Sequence, residues 1–280
     1  MEKLIQGVYE GERALYGSKD LYIIDGTFQN GESPLKESRN IKLQNCIFKW
    51  KYPIWYCKDI EVDNCTWIDS ARSGVWYTHN LLITNSNIEA PKQFRRSSNI
   101  KLVNCSIPNA EETFWNCKDI TLTNVTAKGH YFCFNCENVQ VENFVLNGNY
   151  AFDGAKNIVI KNARMNSKDS FWNCENVIVY DSIIIGEYLG WNSKNITFIN
   201  CTIDSEQGMC YMDNVKMIDC KLLNTNLSFE LCSHIDATIT SKIDSIKNPI
   251  SGSIKAKEIG EIILDDKIIE PKNTKIEVEK

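Results

Sequence analysis

The sequence lacks an excess of positive charge, long apolar runs and a recognisable leader. It has 31 basic and 36 acidic residues and a net charge of −5. Proteins that bind nucleic acids usually carry a basic face, so this balance argues against a nucleic-acid partner. No stretch approaches the roughly 20 apolar residues of a membrane-spanning helix, so we expect no membrane insertion. Residues 1–7 contain no basic segment followed by an apolar one, and we therefore expect a cytoplasmic protein.

The twelve cysteines do not follow a pattern typical of a metal site. Cys133 and Cys136 form a lone C-x-x-C pair without a matching second pair, which is weak evidence for metal or redox chemistry. In a reducing compartment, free thiols are expected in preference to a disulfide framework. We therefore predict no metal and no cofactor.

What the sequence does contain is an internal repeat. Each unit opens with a residue that is usually small, then a charged or polar residue, then Asn or Asp, then alternating apolar residues. The eleven units begin at Ser18, Ser38, Cys57, Thr78, Ser97, Cys117, Cys136, Ala155, Cys174, Ser193 and Met212. Successive starts lie 19 to 21 residues apart, a regularity that indicates a solenoid with one coil per unit.

The pattern within a unit predicts short strands. Positions three and eight are Asn or Asp in all eleven units, and positions four and six are apolar, as in Ile196 and Phe198. This period of two is typical of a strand with one buried face. One coil cannot bury that face alone, so coils should stack as parallel strands about 4.8 Å apart, with Asn side chains bonded from coil to coil. We predict an all-β parallel solenoid, a β-helix, of about 11–12 coils.

Nine of the twelve cysteines fall on two rows of this repeat, where other units hold Ser or Ala. Position one holds Cys57, Cys117, Cys136 and Cys174, and position nine holds Cys46, Cys65, Cys105, Cys201 and Cys220. We predict that Cys fills a small buried space there as a small apolar residue. A disulfide between stacked cysteines, such as Cys117 and Cys136, is the alternative, because neighbouring coils bring their α-carbons into range.

The two ends differ from the regular coils at 18–230. Residues 1–17 lack the repeat and should cap the first coil, because an open end exposes core and unpaired strand edges. After residue 230 the spacing breaks, and residues 231–280 are expected to form irregular coils and a second cap. No linker indicates another domain, so we predict a single β-helix domain over residues 1–280.

A coil of this size with rows of Asn resembles the single-stranded right-handed β-helix of the pectate lyase and polygalacturonase superfamily. The whole chain also looks like a bacterial family of β-helix proteins without an assigned activity. Segments that carry this resemblance are 6–15 (QGVYEGERAL), 31–37 (GESPLKE), 49–53 (KWKYP) and 186–192 (GEYLGWN). The resemblance implies the fold and its right hand, and it implies no activity.

The motifs of the superfamily's enzymes are missing. Its hydrolases place paired aspartates on neighbouring coils, near Gly-His-Gly and Arg-x-Lys segments, and its lyases hold calcium with acidic residues. Here the Asp265–Asp266 pair lies outside the regular coils, and Gly129-His130 is followed by Tyr131. A pectinase assignment would therefore rest on fold alone.

Positions fifteen, eighteen and nineteen combine aromatic and charged residues. On stacked coils each position becomes a line of side chains, and aromatic faces with carboxyl groups among them suit sugar binding and acid–base chemistry. The candidate ligand-binding residues are Arg95, Arg96, Trp115, Tyr131, Trp172, Tyr188 and Trp191. The candidate catalytic residues are Glu112, Asp153 and Asp169.

The same rows also fit a structural role. Position seventeen, which holds Phe114 and Phe171, is apolar, and if the chain bends there the Trp residues of position eighteen are buried too. Arg95 and Asp153 in that row favour exposure, because an unpaired buried charge is costly. We predict a protein that binds a carbohydrate or another elongated ligand. Two alternatives stay open: a glycoside hydrolase or polysaccharide lyase, and a structural or protein-interaction scaffold.

Overall fold

The computed structural model describes residues 1–279 and consists almost entirely of β-structure. The fold is a parallel β-solenoid with about 19 residues per turn, which confirms the predicted fold class, but it has about 15 turns where 11–12 coils were predicted. In residues 1–279 the helical structure amounts to one 3-10 turn, Pro271–Asn273, and no helix there is long and apolar enough to cross a membrane. The chain divides into two compact units, an N-terminal unit of residues 1–145 and a C-terminal unit of residues 146–280.

The N-terminal unit repeats a longer strand, which starts near position three, and a shorter strand after position eight. In its later coils the two merge into one strand. The strands are β1 (Glu2–Ile5), β2 (Val8–Glu10), β3 (Lys19–Ile24), β4 (Thr27–Gln29), β5 (Arg39–Gln44), β6 (Ile47–Phe48), β7 (Ile54–Trp55), β8 (Lys58–Asp63), β9 (Thr66–Trp67), β10 (Val75–Trp76), β11 (His79–Thr84), β12 (Asn87–Ile88), β13 (Ser98–Ile107), β14 (Lys118–Lys128) and β15 (Glu137–Asn147), the last of which ends in the C-terminal unit.

Equivalent positions of successive coils lie side by side in parallel register. Leu21 pairs with Ile41, and Ile41 pairs with Ile60. Positions four and six are buried in every regular coil, so the predicted alternation is confirmed. Aromatic rings continue the core: Phe48 lies 4.9 Å from Phe28 and 4.7 Å from Trp67, centroid to centroid.

Residues 1–17 form a further coil of the solenoid. Leu4 pairs with Ile23, and Tyr9 pairs with Phe28. The repeat is hard to see in the sequence here, because Met1 and Gln6 stand where the regular coils have Asn or Asp. The Tyr9 ring lies against Gly7 and Gly26, where a Cβ would collide with it or press on it. This coil therefore also covers the core of the next one.

The C-terminal unit continues the same pattern up to residue 230 and then becomes irregular. Ala237 pairs with Ile254, 17 residues later, and Ile254 pairs with Ile276, 22 residues later. The remaining strands are β16 (Lys156–Asn166), β17 (Glu175–Tyr180), β18 (Ile183–Ile185), β19 (Lys194–Ile199), β20 (Thr202–Asp204), β21 (Asp213–Leu223), β22 (Ile235–Lys247), β23 (Gly252–Ile263) and β24 (Thr274–Val278).

The Asn residues of the repeat occupy left-handed turns. Asn195 has a φ of 55° and Asn200 a φ of 51°, a region that Asn tolerates better than most residues. The Asn195 amide donates to Asn176 at 3.0 Å, and Asn214 donates to Asn195 at 2.9 Å. Each side chain is thus both donor and acceptor, which fixes the turn of one coil against the next.

All twelve cysteines are buried free thiols, which confirms the predicted small buried spaces. The structure adds a hydrogen bond to that prediction. The Cys174 thiol donates to the Phe152 carbonyl oxygen at 2.8 Å, and Ser193 donates to the Phe171 carbonyl from the same position one coil later. Cys and Ser are interchangeable at this position because both are small and both can make this bond.

Candidate functional site

Position eighteen of the N-terminal unit forms a line of flat side chains. We call Trp55, Trp76, Arg95, Trp115 and Phe134 the half-buried row, since each is neither buried nor fully exposed. The rings of Trp55 and Trp76 stack 5.1 Å apart at an angle of 9°. The Arg95 guanidinium lies 5.1 Å from the Trp76 ring centroid and 4.4 Å from that of Trp115. A cation therefore continues the aromatic stack, as cation–π attraction allows.

The indole nitrogens of this row bond to the backbone of the following coil. Trp76 Nε1 donates to the Lys92 carbonyl oxygen at 3.0 Å, and Trp115 Nε1 donates to that of Tyr131 at 2.9 Å. Neighbouring coils therefore use both the faces and the N–H groups of these rings. The edges of the rings remain accessible to solvent. The exposure of these Trp side chains is therefore intermediate between the two predicted alternatives, a buried row and an exposed row.

The predicted catalytic residue Glu112 is part of an ion-pair cluster in this unit. One carboxylate oxygen bonds Arg95, and the other lies 3.3 Å from Lys92 Nζ. The Arg95 side chain is 20% exposed and that of Glu112 is 30% exposed, so water only partly screens the pair. Glu112 thus neutralises the cation within the stack.

Position nineteen forms a second line beside the first. We call Tyr56, Tyr77, Arg96, Asn116 and Asn135 the exposed row, since all of them are exposed except Tyr77, which is half-buried. The Tyr56 and Tyr77 rings stack 4.7 Å apart at 6°, and Tyr56 is 48% exposed. Their φ angles are 57° and 56°, and that of Arg96 is 47°. Asn suits this conformation and bulky residues do not, so turn geometry gives no reason for two Tyr and one Arg here.

The structure brings two more of the predicted residues together in the N-terminal unit. The ring of Tyr131 is exposed and meets the Trp115 ring edge-on, with centroids 6.3 Å apart. Arg96 lies on the exposed row next to Arg95 of the half-buried row. Arg95, Arg96, Glu112, Trp115 and Tyr131 therefore lie on the same side of their coils.

In the C-terminal unit, position eighteen holds Asp153, Trp172 and Trp191. The two indole rings are 6.0 Å apart and inclined by 40°. Trp172 Nε1 donates to the Tyr188 carbonyl oxygen at 2.9 Å, and the Trp191 ring lies 4.6 Å from that of Tyr211. The predicted residues Trp172, Tyr188 and Trp191 are therefore close together, with Trp172 again bonded to the backbone.

The two predicted catalytic aspartates of this unit differ in burial. Asp153 is half-buried and accepts a hydrogen bond from Asn173 at 3.1 Å. Asp169 is only 2% exposed, and this burial raises the pKa of its carboxyl group against the opposing effects of Lys168 and of a hydrogen bond from Tyr150. Both carboxyl groups are thus held by neighbours within the coils.

Sequence reasoning missed an acidic cleft in the C-terminal unit. The cleft has a volume of about 480 Å³ and is lined by Glu187, Asp204, Glu206 and Asp244, together with two Asn side chains. Glu187 is paired with Lys168 at 2.8 Å. Acidic residues at positions twelve and fourteen of successive coils could have indicated this cleft. In a sequence, however, such a row of charges more often indicates a face exposed to solvent. Within residues 1–279, no group of three or more His, Cys, Asp or Glu side chains is arranged to hold a metal ion.

A family profile described as "Protein of unknown function (DUF3737)" matches residues 2–277. The chain belongs to the DUF3737 family. This confirms the resemblance to a family without an assigned activity. A search of curated proteins found no match.

Solved structures with a similar fold are distant in sequence. The surface adhesin PfbA of Streptococcus pneumoniae is 14% identical over 93% of this chain and 70% of its own, with a TM-score of 0.37. A mannuronic acid-specific polysaccharide family 6 lyase from the human gut microbiota is 10% identical over 98% of this chain and 79% of its own, with a TM-score of 0.40. The fluoroquinolone resistance protein QnrB1 is 14% identical over 70% of this chain and 93% of its own, with a TM-score of 0.38. These values carry no argument about function.

Proposed function

We propose that this DUF3737 protein binds a carbohydrate chain along the exposed row of its N-terminal unit. The observation that carries the proposal is the stacked pair of Tyr56, which is exposed, and Tyr77, which is half-buried, with the exposed Arg96 on the following coil. The hydroxyl groups and ring edges that this stack leaves outermost can bond sugar hydroxyls and contact sugar C–H groups. Arg96 adds further donors in the same line.

The Trp rings of the half-buried row pack against the Tyr rings of the exposed row. The Trp55 ring meets Tyr56 edge-on at 6.3 Å and 75°, and the Trp76 ring meets Tyr77 at 6.5 Å and 73°. The Tyr side chains are thus held in place before a ligand arrives. Binding then costs little side-chain entropy, which favours affinity.

The repeat spacing matches an extended ligand. The rings of Tyr56 and Tyr77 are one coil apart, at 4.7 Å. The inter-coil Asn bonds, which we interpret as an asparagine ladder, keep successive turns in register, as Asn135 and Asn116 do at 2.8 Å. A linear polymer lying along the row would meet one hydrogen-bonding side chain at each coil, first Tyr, then Arg and then Asn.

The test compares the purified protein with a Tyr56→Asn/Tyr77→Asn variant by calorimetric titration against a panel of neutral and anionic polysaccharides. Asn is native at this position in other coils and suits a positive φ, so the variant should keep its stability within about 0.5 kcal/mol. We expect at least about a tenfold loss of affinity, since this corresponds to about 1.4 kcal/mol of lost contacts.

The matched control is Tyr211→Asn, which changes an exposed Tyr of the same position in the C-terminal unit. It should bind like the unchanged protein. Equal binding by the double variant, or no binding by any polysaccharide of the panel, would contradict the proposal.

A second candidate is a protein-interaction scaffold. It is favoured by the face-to-face contact of Tyr56 and Tyr77, which leaves their hydroxyl groups and ring edges outermost, as is common for Tyr at protein interfaces. A protein partner that is captured by the unchanged chain and lost with the double variant, without polysaccharide binding, would support this candidate. Catalysis by Glu112, Asp153 or Asp169 and a cytoplasmic location stay predictions.

A further inference from the structure

Position two of the repeat has a different charge pattern in each unit. In the N-terminal unit, Lys19, Arg39 and Lys58 occupy it on three successive coils, and all three side chains are exposed. We call these residues the cationic row. They stand opposite one another in parallel register, Lys19 beside Arg39 and Arg39 beside Lys58. Neighbouring strands are about 4.8 Å apart, and like charges directly opposite each other destabilise a sheet.

In the C-terminal unit the charges at position two alternate in sign. Lys156 pairs with Glu175, Glu175 with Lys194, and Lys194 with Asp213. Lys156 Nζ lies 3.2 Å from the Glu175 carboxylate, so neighbouring coils attract each other there. This alternation is what the stability of a sheet favours. The stability of the fold therefore does not account for the cationic row.

The cationic row is only partly neutralised by its surroundings. Within residues 1–279, none of its three side chains forms an ion pair with a carboxylate. Asp20 and Asp59 each follow one of these cations in the sequence. Asn40 donates to Asp20, and Asn80 donates to Asp59 at 2.7 Å. Both carboxylates thus belong to the Asn bonds between coils, and their charges offset only part of the row.

The cationic row runs beside the exposed row. On one coil, Tyr56 and Lys58 are both exposed and are separated by the buried Cys57. On the next coil, Tyr77 and His79 flank a buried Thr in the same way. A ligand that lies along the exposed row therefore passes position two on each coil that it crosses.

The surroundings of the exposed row add further cations. Lys36 Nζ lies 5.5 Å from the centroid of the Tyr56 ring, and Arg96 belongs to the row itself. Glu37, one coil before Tyr56, accepts a hydrogen bond from the Tyr16 hydroxyl group at 2.7 Å. Counted with the cationic row, this surface carries five cations against three carboxylates.

We propose that the ligand of the exposed row is an anionic polysaccharide, whose negative groups bind the cationic row. This rests on the proposed function, because it names the class of carbohydrate that the exposed row binds. Lys and Arg form charge-assisted hydrogen bonds with carboxylate, sulfate and phosphate groups alike, so a negative charge repeated along the polymer is the shared chemistry. A bound polyanion also offsets the repulsion within the cationic row, so it should raise the melting temperature.

The test titrates the protein calorimetrically, at low salt, with dextran, carboxymethyl dextran and dextran sulfate, which share one neutral backbone. We expect each charged polymer to bind about tenfold more tightly than dextran, and its affinity to fall as the salt concentration rises. Comparison of the two charged polymers shows whether carboxylate or sulfate is the better group. No binding of either charged polymer, or equally tight binding of neutral dextran, would overturn the proposal.

A Lys19→Gln/Arg39→Gln/Lys58→Gln variant removes the three charges and keeps exposed polar side chains. Its affinity for the charged polymers should fall about tenfold, and its slope of log affinity against log salt should shrink by about one for each cation removed. Without ligand it should melt no lower than the unchanged protein, because the repulsion is gone. The control variant Lys156→Gln/Lys194→Gln, at position two of the C-terminal unit, should bind like the unchanged protein.

The Tyr56→Asn/Tyr77→Asn variant separates this inference from the proposed function. Binding that this double variant loses and the triple variant keeps would support the proposed function and overturn the inference. Binding that the triple variant loses and the double variant keeps would contradict the proposed function and support an anion site on the cationic row. Single-stranded DNA bound as tightly as dextran sulfate would identify a general polyanion surface and overturn the assignment to a polysaccharide.

Discussion

The half-buried row of the N-terminal unit and the equivalent position-eighteen row of the C-terminal unit contain charges of opposite sign. In the N-terminal unit Arg95 lies between Trp76 and Trp115, and its charge is balanced by Glu112. In the C-terminal unit Asp153 precedes Trp172 and is bonded to an Asn. A guanidinium is planar and can stack on indole rings, whereas a carboxylate has no such affinity for an aromatic face. In the N-terminal unit the planar side chains from Trp55 to Trp115 therefore form a continuous stack. In the C-terminal unit the row begins with the Asp153 carboxylate, which does not stack on an indole ring.

The Trp pairs of the two units also differ in geometry. Trp55 and Trp76 are nearly parallel at 9° and 5.1 Å, while Trp172 and Trp191 are inclined by 40° at 6.0 Å. Beyond Arg95 the N-terminal row tilts as well, since Trp115 and Phe134 are inclined by 46° at 5.0 Å. Both units have a bonded Asn pair at position nineteen, Asn116–Asn135 and Asn173–Asn192, but only the N-terminal unit adds a stacked Tyr pair there.

The largest effect should come from removing the cation. An Arg95→Ala variant leaves a gap between two indole rings and leaves Glu112 with Lys92 alone, so we expect the free energy of unfolding to fall by about 3 kcal/mol. Asp153→Ala, at the equivalent position of the C-terminal unit, should cost about 1 kcal/mol, because one hydrogen bond is lost. Denaturant unfolding of both variants measures the difference. Similar losses in the two variants would show that the charged stack adds nothing.

A second contrast concerns the response to acid of one carboxyl group from each unit. Hydrogen bonds from Thr84 and Asn85 lower the pKa of Asp63, whereas burial raises the pKa of Asp169. The stability from Asp63 is present above the ordinary Asp pKa and is lost as the pH falls through its lowered pKa. The stability from protonated Asp169 is present below the ordinary Asp pKa and is lost as the pH rises through its raised pKa.

The melting temperature measured between about pH 3 and pH 8 tests these signs in Asn variants, whose side chains do not titrate. Asp169→Asn should melt above the unchanged protein at neutral pH, and the gap should close on acidification. Asp63→Asn should melt below it at neutral pH, with the gap again closing in acid. A gap of the same sign in both variants would contradict the assigned environments.

The regular side of each coil could be predicted from the sequence, because stacking repeats one local rule at every coil. The alternation at Ile196 and Phe198 fixes which side chains are buried, and the Asn of positions three and eight fix the turns. The first coil escaped detection, since Met1 and Gln6 break the Asn rule while the strands still pair. Backbone pairing continues past the point at which the side-chain pattern ends.

The candidate site could be predicted only as a set of rows. The sequence placed Arg95, Trp115 and Glu112 on the same side of the coils, but the angle of the turn after position seventeen decides whether a ring lies flat or projects. That angle depends on contacts with both neighbouring coils. The Trp115 bond to the Tyr131 carbonyl oxygen is one such contact, and nothing in a single unit reveals it.

The smallest effect should come from the indole hydrogen bonds. Trp115→Phe and Trp172→Phe each remove one N–H donor that lies 2.9 Å from a carbonyl oxygen, in the N-terminal and C-terminal unit respectively. Each change should cost about 1 kcal/mol for the lost bond. Trp115 also faces Arg95, and Phe attracts a cation less strongly than Trp, so its replacement should cost about 0.5 kcal/mol more.

The background variant Arg95→Ala isolates that extra cost. In the Arg95→Ala background, Trp115→Phe should lower the free energy of unfolding by as much as Trp172→Phe does. Each change then removes only the indole hydrogen bond. A double-mutant cycle from denaturant unfolding measures this coupling. A coupling energy of zero would mean that Arg95 fills space between the two indole rings and contributes through packing alone, and the contrast between the two units would then lie in shape and not in charge.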